Sequence, residues 1–379
     1  MRSSWFTKQG FWRDALLTTL TLAGLATLER AMTSLYSLPH GRFPAMLIGV
    51  MRSRAILQNP GTRGYYEQLA SGGTLPAKLL PLFFSHDLIY DDSFRIYRLR
   101  PKLDRQTVGP LTAQPTNSFG YVGHEWALPK PPNTRRVALL GDSIAMGMGI
   151  DTSHSFATLL ENRLNADYPK DVPQPFEVLN FAVRGYVITQ IYDVEVEDAS
   201  RFLPDVYLLE LSELTVYGNW STHLVQLIQA GTDPKYDFLR ETVLRSGATK
   251  GDSSSTLYAK LAPFRIPVLR ETLVRMKSRA EHDHAQFIVM LVPSVEDGAL
   301  CTQRFDGIRE MLESLDIPAI DLLDTFDALP YKEYLRLEAT NVHPNQLGER
   351  MLVDNLYARL RAHPNIWSAL AGDPADTHR

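Results

Sequence analysis

From Arg136 onward the chain alternates short, wholly apolar runs with segments of helical periodicity, and few architectures tolerate that alternation. Val137–Leu140, Phe176–Val183, Asp205–Leu211 (entered by Pro204), Gln286–Pro293 and Ile317–Leu323 read as strands. Segments near Ser155–Asn165, Ile188–Phe202, Gln303–Leu315 and Gln346–Arg361 read as helices. Strands that alternate with helices imply a parallel sheet covered on both faces. The expected fold is therefore α/β: a three-layer α/β/α sandwich around a mostly parallel five-stranded sheet. Residues 216–284 are too long for one crossover and read as a helical insertion, broken by a mobile polar loop over Ser246–Ser255.

The chain has 379 residues, enough for such a domain and substantial extra structure. A net charge of -4 gives no reason to expect nucleic acid as a partner. The single cysteine, Cys301, excludes an internal disulfide and a thiolate-rich metal site. No cofactor is implied. The pattern divides the chain into residues 1–35, a leader over 36–130 rich in aromatics and arginine, the α/β domain over 131–365, and a polar tail over 366–379. Arg2, Lys8 and Arg13 precede an apolar run at residues 15–28, which leaves two readings open. One is a signal anchor that puts the domain in the cell envelope, outside the membrane. The other is a helix packed on a cytoplasmic domain, since a span wants about 20 apolar residues and this run is shorter and threonine-rich.

Open α/β sheets bind ligands at the carboxyl ends of their strands. Ser143 directly follows the first strand, in a turn containing Gly147 and Gly149. There a serine hydroxyl can face a substrate while its own backbone N–H points at a bound carbonyl oxygen. Gly185 ends the second strand, where the lack of a side chain lets an acyl oxygen approach the backbone N–H. His343 precedes the last helix, from which an imidazole can reach Ser143. A serine hydroxyl is a poor nucleophile near neutral pH, so a hydrogen-bonded base must take its proton. Donors aimed at the developing oxyanion are each worth on the order of 10²–10³ in rate.

Over residues 116–361 the sequence resembles the SGNH (GDSL-type) hydrolase superfamily, whose fold is flavodoxin-like. Gly141-Asp142-Ser143-Ile144 matches the block that carries the nucleophile. Asn180 to Gly185 matches the block whose glycine is an oxyanion donor. Pro204 to Leu209 matches the strand into the third block, and His343-Pro344-Asn345 with Gly348 matches the block of the catalytic histidine. Asn117-Ser118-Phe119-Gly120-Tyr121 looks like a lead-in found in bacterial envelope members with an N-terminal extension. The resemblance implies a serine esterase or O-acyltransferase acting on a small acyl ester, acetyl foremost, or on an acylated glycan. Two blocks depart from the pattern. Where the third block has Gly-x-Asn-Asp, this chain has Ser212-Glu213-Leu214-Thr215, so the asparagine donor is replaced by leucine. Asn219 is either a substitute donor or a turn residue. Upstream of His343, where the superfamily has aspartate, stand Thr340 and Asn341, with Glu338 the nearest carboxylate. Either Asn341 or Glu338 would then orient the imidazole. In a serine-protease triad, aspartate-to-asparagine replacement costs about 10⁴ in turnover. A different-class expectation follows: an impaired domain that binds an acylated glycan or serves an envelope assembly.

Each feature has a plainer explanation. Ser143 could be a helix N-cap, His343 a histidine at a helix start, and Gly185 a strand-end glycine. Gly-Asp-Ser alone is weak, since Gly251-Asp252-Ser253 repeats it without a preceding strand; that copy is expected to have no role. Asp142 reads as a turn-stabilising residue. Met146 and Met148 either line an acyl pocket or face the core. Glu281-His282-Asp283-His284 and the basic Arg270, Arg275, Lys277 and Arg279 read as solvated faces, with no metal site expected.

Overall fold

The computed structural model describes residues 87–104, 114–166, 176–217, 220–295, 303–329, 332–338 and 341–372. All of them belong to one unit, Asn59–Arg379. The apolar run at 15–28, Cys301, Asn219 and Thr340 lie outside the described residues, and Glu338 and Asn341 are placed by their backbone only.

A short hairpin comes first, β1 (Leu88–Tyr90) antiparallel to β2 (Tyr97–Leu99). The main sheet is built from β3 (Arg135–Leu140), β4 (Phe176–Asn180), β5 (Val206–Leu211), β6 (Gln286–Leu291) and β7 (Ala319–Asp321). Its order is β4-β3-β5-β6-β7 and every pairing is parallel. The expected three-layer sandwich with a five-stranded parallel sheet is therefore what forms. Its central strands are buried on both faces: Val137 to Leu140 and all of β5 are closed to solvent. Because β3 lies between β4 and β5, the strand order reverses there, and open α/β sheets bind their ligands beyond the carboxyl ends of the strands at such a point. Gly141-Asp142-Ser143 occupies that point.

Helix α1 (Ser143–Met146) begins directly after β3, and α2 (Phe156–Asn165) follows it. Helix α3 (Ile188–Glu197) is shorter than the sequence suggests, since a 3₁₀ turn and Leu203 at φ 51° end it before Pro204. Proline disfavours helical backbone in the residue before it. The insertion is helical as expected, with α4 (Glu213–Tyr217), α5 (Thr222–Ala230), α6 (Asp237–Ser246), α7 (Ser254–Leu261) and α8 (Arg265–His282). Its polar stretch is two helix ends back to back. Gly247, at φ 66°, closes α6, and the Ser253 hydroxyl accepts the Thr256 N–H at 3.2 Å to open α7. The second Gly-Asp-Ser is thus a helix cap. Helix α9 (Asp306–Ser314) follows β6. A second hairpin, β8 (Arg336–Glu338) with β9 (Asn341–Pro344), leads into α10 (Gln346–Ala362). Helix α10 packs on α2 and β7, whereas α3 packs on β3 and α8.

Two expected boundaries move. The domain does not begin at residue 131. Trp126 and Tyr121 lie with their rings 4.8 and 4.9 Å from that of Phe181, and Phe119 lies 4.9 Å from Phe202. The leader's aromatics therefore complete the core beside β4. Hairpin β1–β2 is bound by charge as well, with Arg95 held by Asp193 at 2.5 Å and Asp198 at 2.6 Å. The expected tail from residue 366 is also partly folded, as helix α11 (Pro364–Ala371). Proline at its first turn suits a helix start. Trp367 then packs on Tyr357, and Arg135 caps the far end by donating to the Ala369 carbonyl at 2.6 Å. Among the described residues no helix is long and apolar enough to cross a membrane.

Glu195, on the buried face of α3, has neither carboxyl oxygen hydrogen-bonded. Burial pushes its pKa well above the carboxylate range, against the nearby Arg279 charge and with that of Asp283. An unfolded chain ionises this group above about pH 4.3 while the fold keeps it neutral, so its penalty grows as pH rises. Glu195→Met is expected to stabilise the fold by about 1–2 kcal/mol at neutral pH. In thermal melts the gain should be larger at pH 8 than at pH 5; a loss at both would contradict the assignment.

Candidate active site

The turn after β3 is held from beneath. Glu210, near the carboxyl end of β5, accepts the N–H of Asp142 at 2.9 Å and that of Ala145 at 3.2 Å through one carboxyl oxygen. Its other oxygen has no hydrogen-bond partner. Burial first, and then the neighbouring Asp142 charge, push the Glu210 pKa well above its usual range, so this carboxyl is the neutral member of the pair. Gly141 makes the arrangement geometrically possible: a Cβ there would lie 2.3 Å from the Glu210 Oε2.

Asp142, read from the sequence as a turn-stabilising residue, is the N-cap of α1, and Ser143 is the first residue of the helix rather than its cap. The Asp142 Oδ1 accepts the Ile144 N–H at 3.0 Å and its Oδ2 accepts the Ser212 hydroxyl at 2.8 Å. Ser212 is in turn fixed by Thr215, whose Oγ accepts the Ser212 N–H at 2.7 Å. The Ser212-Glu213-Leu214-Thr215 segment is therefore bonded to the turn after β3 through Ser212. Burial raises the Asp142 pKa, and the Ile144 and Ser212 hydrogen bonds oppose that shift.

Ser143 and His343 meet. The Nε2 of His343 lies 2.8 Å from the Ser143 Oγ across 200 residues of chain, with the two residues 1% and 3% exposed. Asp142 Oδ1 is 3.5 Å from the same hydroxyl, too long to compete for its proton. Ser143 thus donates to Nε2, which assigns the imidazole proton to Nδ1. Burial alone pulls the His343 pKa down to about 4, so the ring is neutral near pH 7. His343 stands on β9, and Asn345 two residues on caps α10 by accepting the N–H groups of Leu347 and Gly348. Glu338 and Asn341 are register partners in that hairpin.

Gly185 sits just past β4 in left-handed backbone, φ 75°, half-buried. Its N–H takes part in none of the hydrogen bonds among the described residues. The loop leans on α1: Asn180 Nδ2 reaches the carbonyls of Ala145 and Met146 at 3.4 Å, and the Arg184 N–H meets the Met146 sulfur at 3.3 Å. Met146 and Met148 are buried. Among the described residues no cluster could hold a metal ion. Asp283 is engaged by Arg279 at 2.8 Å and by the Tyr207 hydroxyl at 2.6 Å.

Sequence reasoning missed Glu210, Ser212 and Thr215. The signal for Glu210 was present, as a lone carboxylate inside Val206-Tyr207-Leu208-Leu209-Glu210-Leu211. Glu210→Gln keeps an oxygen for the two N–H groups and should fold with near-native stability. Glu210→Leu strands both donors, at about 1–3 kcal/mol each. Chemical denaturation should separate the two variants by more than about 2 kcal/mol, and equal stabilities would contradict the support assigned to Glu210.

No protein-family model matches the chain, and no curated protein matches it. Solved structures do. The chain is similar to the acetylxylan esterase Axe2 of Geobacillus stearothermophilus at 15% identity and TM-score 0.40, over 60% of this chain and 95% of that one. It is similar to the psychrotrophic esterase EstA of Pseudoalteromonas sp. at 14% identity and TM-score 0.39, over 61% and 99%. A lipase/acylhydrolase from Enterococcus faecalis aligns at 14% identity and TM-score 0.38, over 60% and 96%. At such low identity the chemistry has to be argued from the residues. The strand order, with the Gly141-Asp142-Ser143 turn at its reversal and His343 just before the last long helix of the sandwich, makes this chain a three-layer α/β/α fold around a parallel five-stranded sheet.

Proposed function

We propose that this protein is a serine ester hydrolase or O-acyltransferase that works through an acyl-enzyme on Ser143. The observation that carries the reading is the 2.8 Å contact between the Ser143 hydroxyl and a neutral, buried His343. Ser143 Oγ attacks the ester carbonyl carbon while its proton passes to His343 Nε2. The oxyanion is received by the backbone N–H groups of Ser143 and Gly185. Collapse of this intermediate breaks the C–O bond to the alcohol, which leaves with the proton from His343. Water or a sugar hydroxyl then gives its proton to His343 and takes the acyl group, and His343 returns that proton to the Ser143 Oγ as the acyl–serine bond breaks.

A nucleophile this enclosed, next to buried Ile144 and Met146, favours a small acyl group such as acetyl. Leu214 at the place of the third donor argues for slow turnover, since a missing donor costs on the order of 10²–10³. Asn341 or Glu338 would orient the Nδ1–H of His343. An acylated glycan as substrate, and an anchor at residues 1–35 that sets the domain in the envelope, belong to the same reading. Loss of residues 1–35 should release the protein from membrane fractions if that anchor operates. The impaired, glycan-binding alternative is favoured by that absent donor and by the missing aspartate before His343, whereas the assembled serine and histidine argue against it.

Turnover of p-nitrophenyl acetate should disappear in Ser143→Ala; retention of wild-type turnover there would overturn the mechanism. The pH profile carries further information. A base held neutral down to about pH 4 leaves kcat/KM on its plateau through pH 6, with the acid limb near about 4. An acid limb at the ordinary histidine value of about 6.5 would contradict the buried, uncharged imidazole.

A further inference from the structure

We infer that Tyr97, on the N-terminal hairpin, is a positioning residue that aims the Gly185 N–H at the oxyanion. The inference rests on the ester-hydrolase reading above and adds to it the device that holds one of its donors. The Tyr97 hydroxyl donates to the Arg184 carbonyl at 2.9 Å. That carbonyl and the Gly185 N–H belong to one peptide unit. A trans peptide is planar and its C=O and N–H point in opposite directions. Fixing the carbonyl on one side therefore fixes where the N–H points on the other. Bonding the carbonyl also polarises the unit and strengthens its N–H as a donor.

The rest of the contact makes that bond rigid. The Arg184 guanidinium is paired with the Asp87 carboxylate through two bonds, at 2.5 and 2.8 Å, and both side chains are buried. Buried ion pairs are weak evidence of stability, because desolvation offsets their attraction. This pair holds the residue whose carbonyl Tyr97 meets. On the other side of Gly185, the Tyr186 hydroxyl donates to the Tyr97 carbonyl, and the two rings lie 5.1 Å apart. Both chain neighbours of Gly185 are thus bonded to the segment containing β1 and β2. Glycine at φ 75° has no side chain to lock it, so its direction has to be imposed from outside.

Tyr97→Phe in the full chain removes the hydroxyl and keeps the ring. It is expected to lower kcat for p-nitrophenyl acetate about tenfold, part of the loss for a whole donor. KM and the thermal midpoint should hardly move, which a purely structural role would not produce. A second readout does not depend on turnover. Carbonyl-¹³C arginine with ¹⁵N glycine selects only the Arg63–Gly64 and Arg184–Gly185 peptides. The Gly185 amide nitrogen should shift in Tyr97→Phe while the Gly64 signal stays as a reference. An unmoved Gly185 signal, or an unchanged kcat in an enzyme that Ser143→Ala silences, overturns the role of Tyr97 and leaves the ester-hydrolase reading standing. Turnover that survives Ser143→Ala overturns that reading and the positioning role of Tyr97 with it.

Discussion

The turn that carries Ser143 depends on a neutral carboxyl buried under it. Glu210 stands in the central strand β5, and its acceptance of the Asp142 and Ala145 N–H groups joins the first helical turn to the sheet. Two carboxyl groups share that space, so both cannot be charged cheaply. Deeper burial and the adjacent charge make Glu210 the neutral one. Asp142 accepts from the Ile144 N–H and the Ser212 hydroxyl, bonds that favour its charged form. Gly141 is the sequence condition for this, since any side chain there would meet the Glu210 carboxyl.

Around this turn, three parts of the chain that are distant in sequence are tied to one another by bonds rather than by packing alone. The third-block loop reaches Asp142 through Ser212 and Thr215. The loop after β4 rests on α1 through Asn180 and on the leader through Arg184. His343 arrives on a hairpin whose Leu337 lies against Gly149, beside the end of α1. A departure from the superfamily pattern in one block is thus met by new bonds in the same place: Ser212 where glycine is usual becomes a support for Asp142.

Much of the fold was legible because buried parallel strands are written as apolar runs. The strands at 135, 206 and 286 begin within two residues of where those runs begin. The strand read as Phe176–Val183 ends at Asn180, since beyond it the chain leaves the ladder to form the Gly185 turn. Ser143, Gly185 and His343 were found from strand ends, and the structure brings Ser143 and His343 into contact. The leader was misjudged because Tyr121 and Trp126 have no periodicity; their partner, Phe181, is contributed by the end of a strand more than fifty residues away. Arg184, Asp87 and Tyr97 were illegible for the same reason, as a charge pair across 97 residues has no local signature.

The most direct measurement on this arrangement is peptide mapping of the full chain after reaction with a fluorophosphonate, read by mass spectrometry. The phosphonyl group should be found on Ser143, and its rate of attachment should collapse in His343→Ala, whose hydroxyl no longer has a base at 2.8 Å. An adduct on another serine, such as Ser212 or Ser253, or equal rates with and without His343, would contradict the assignment of Ser143 as a nucleophile activated by His343.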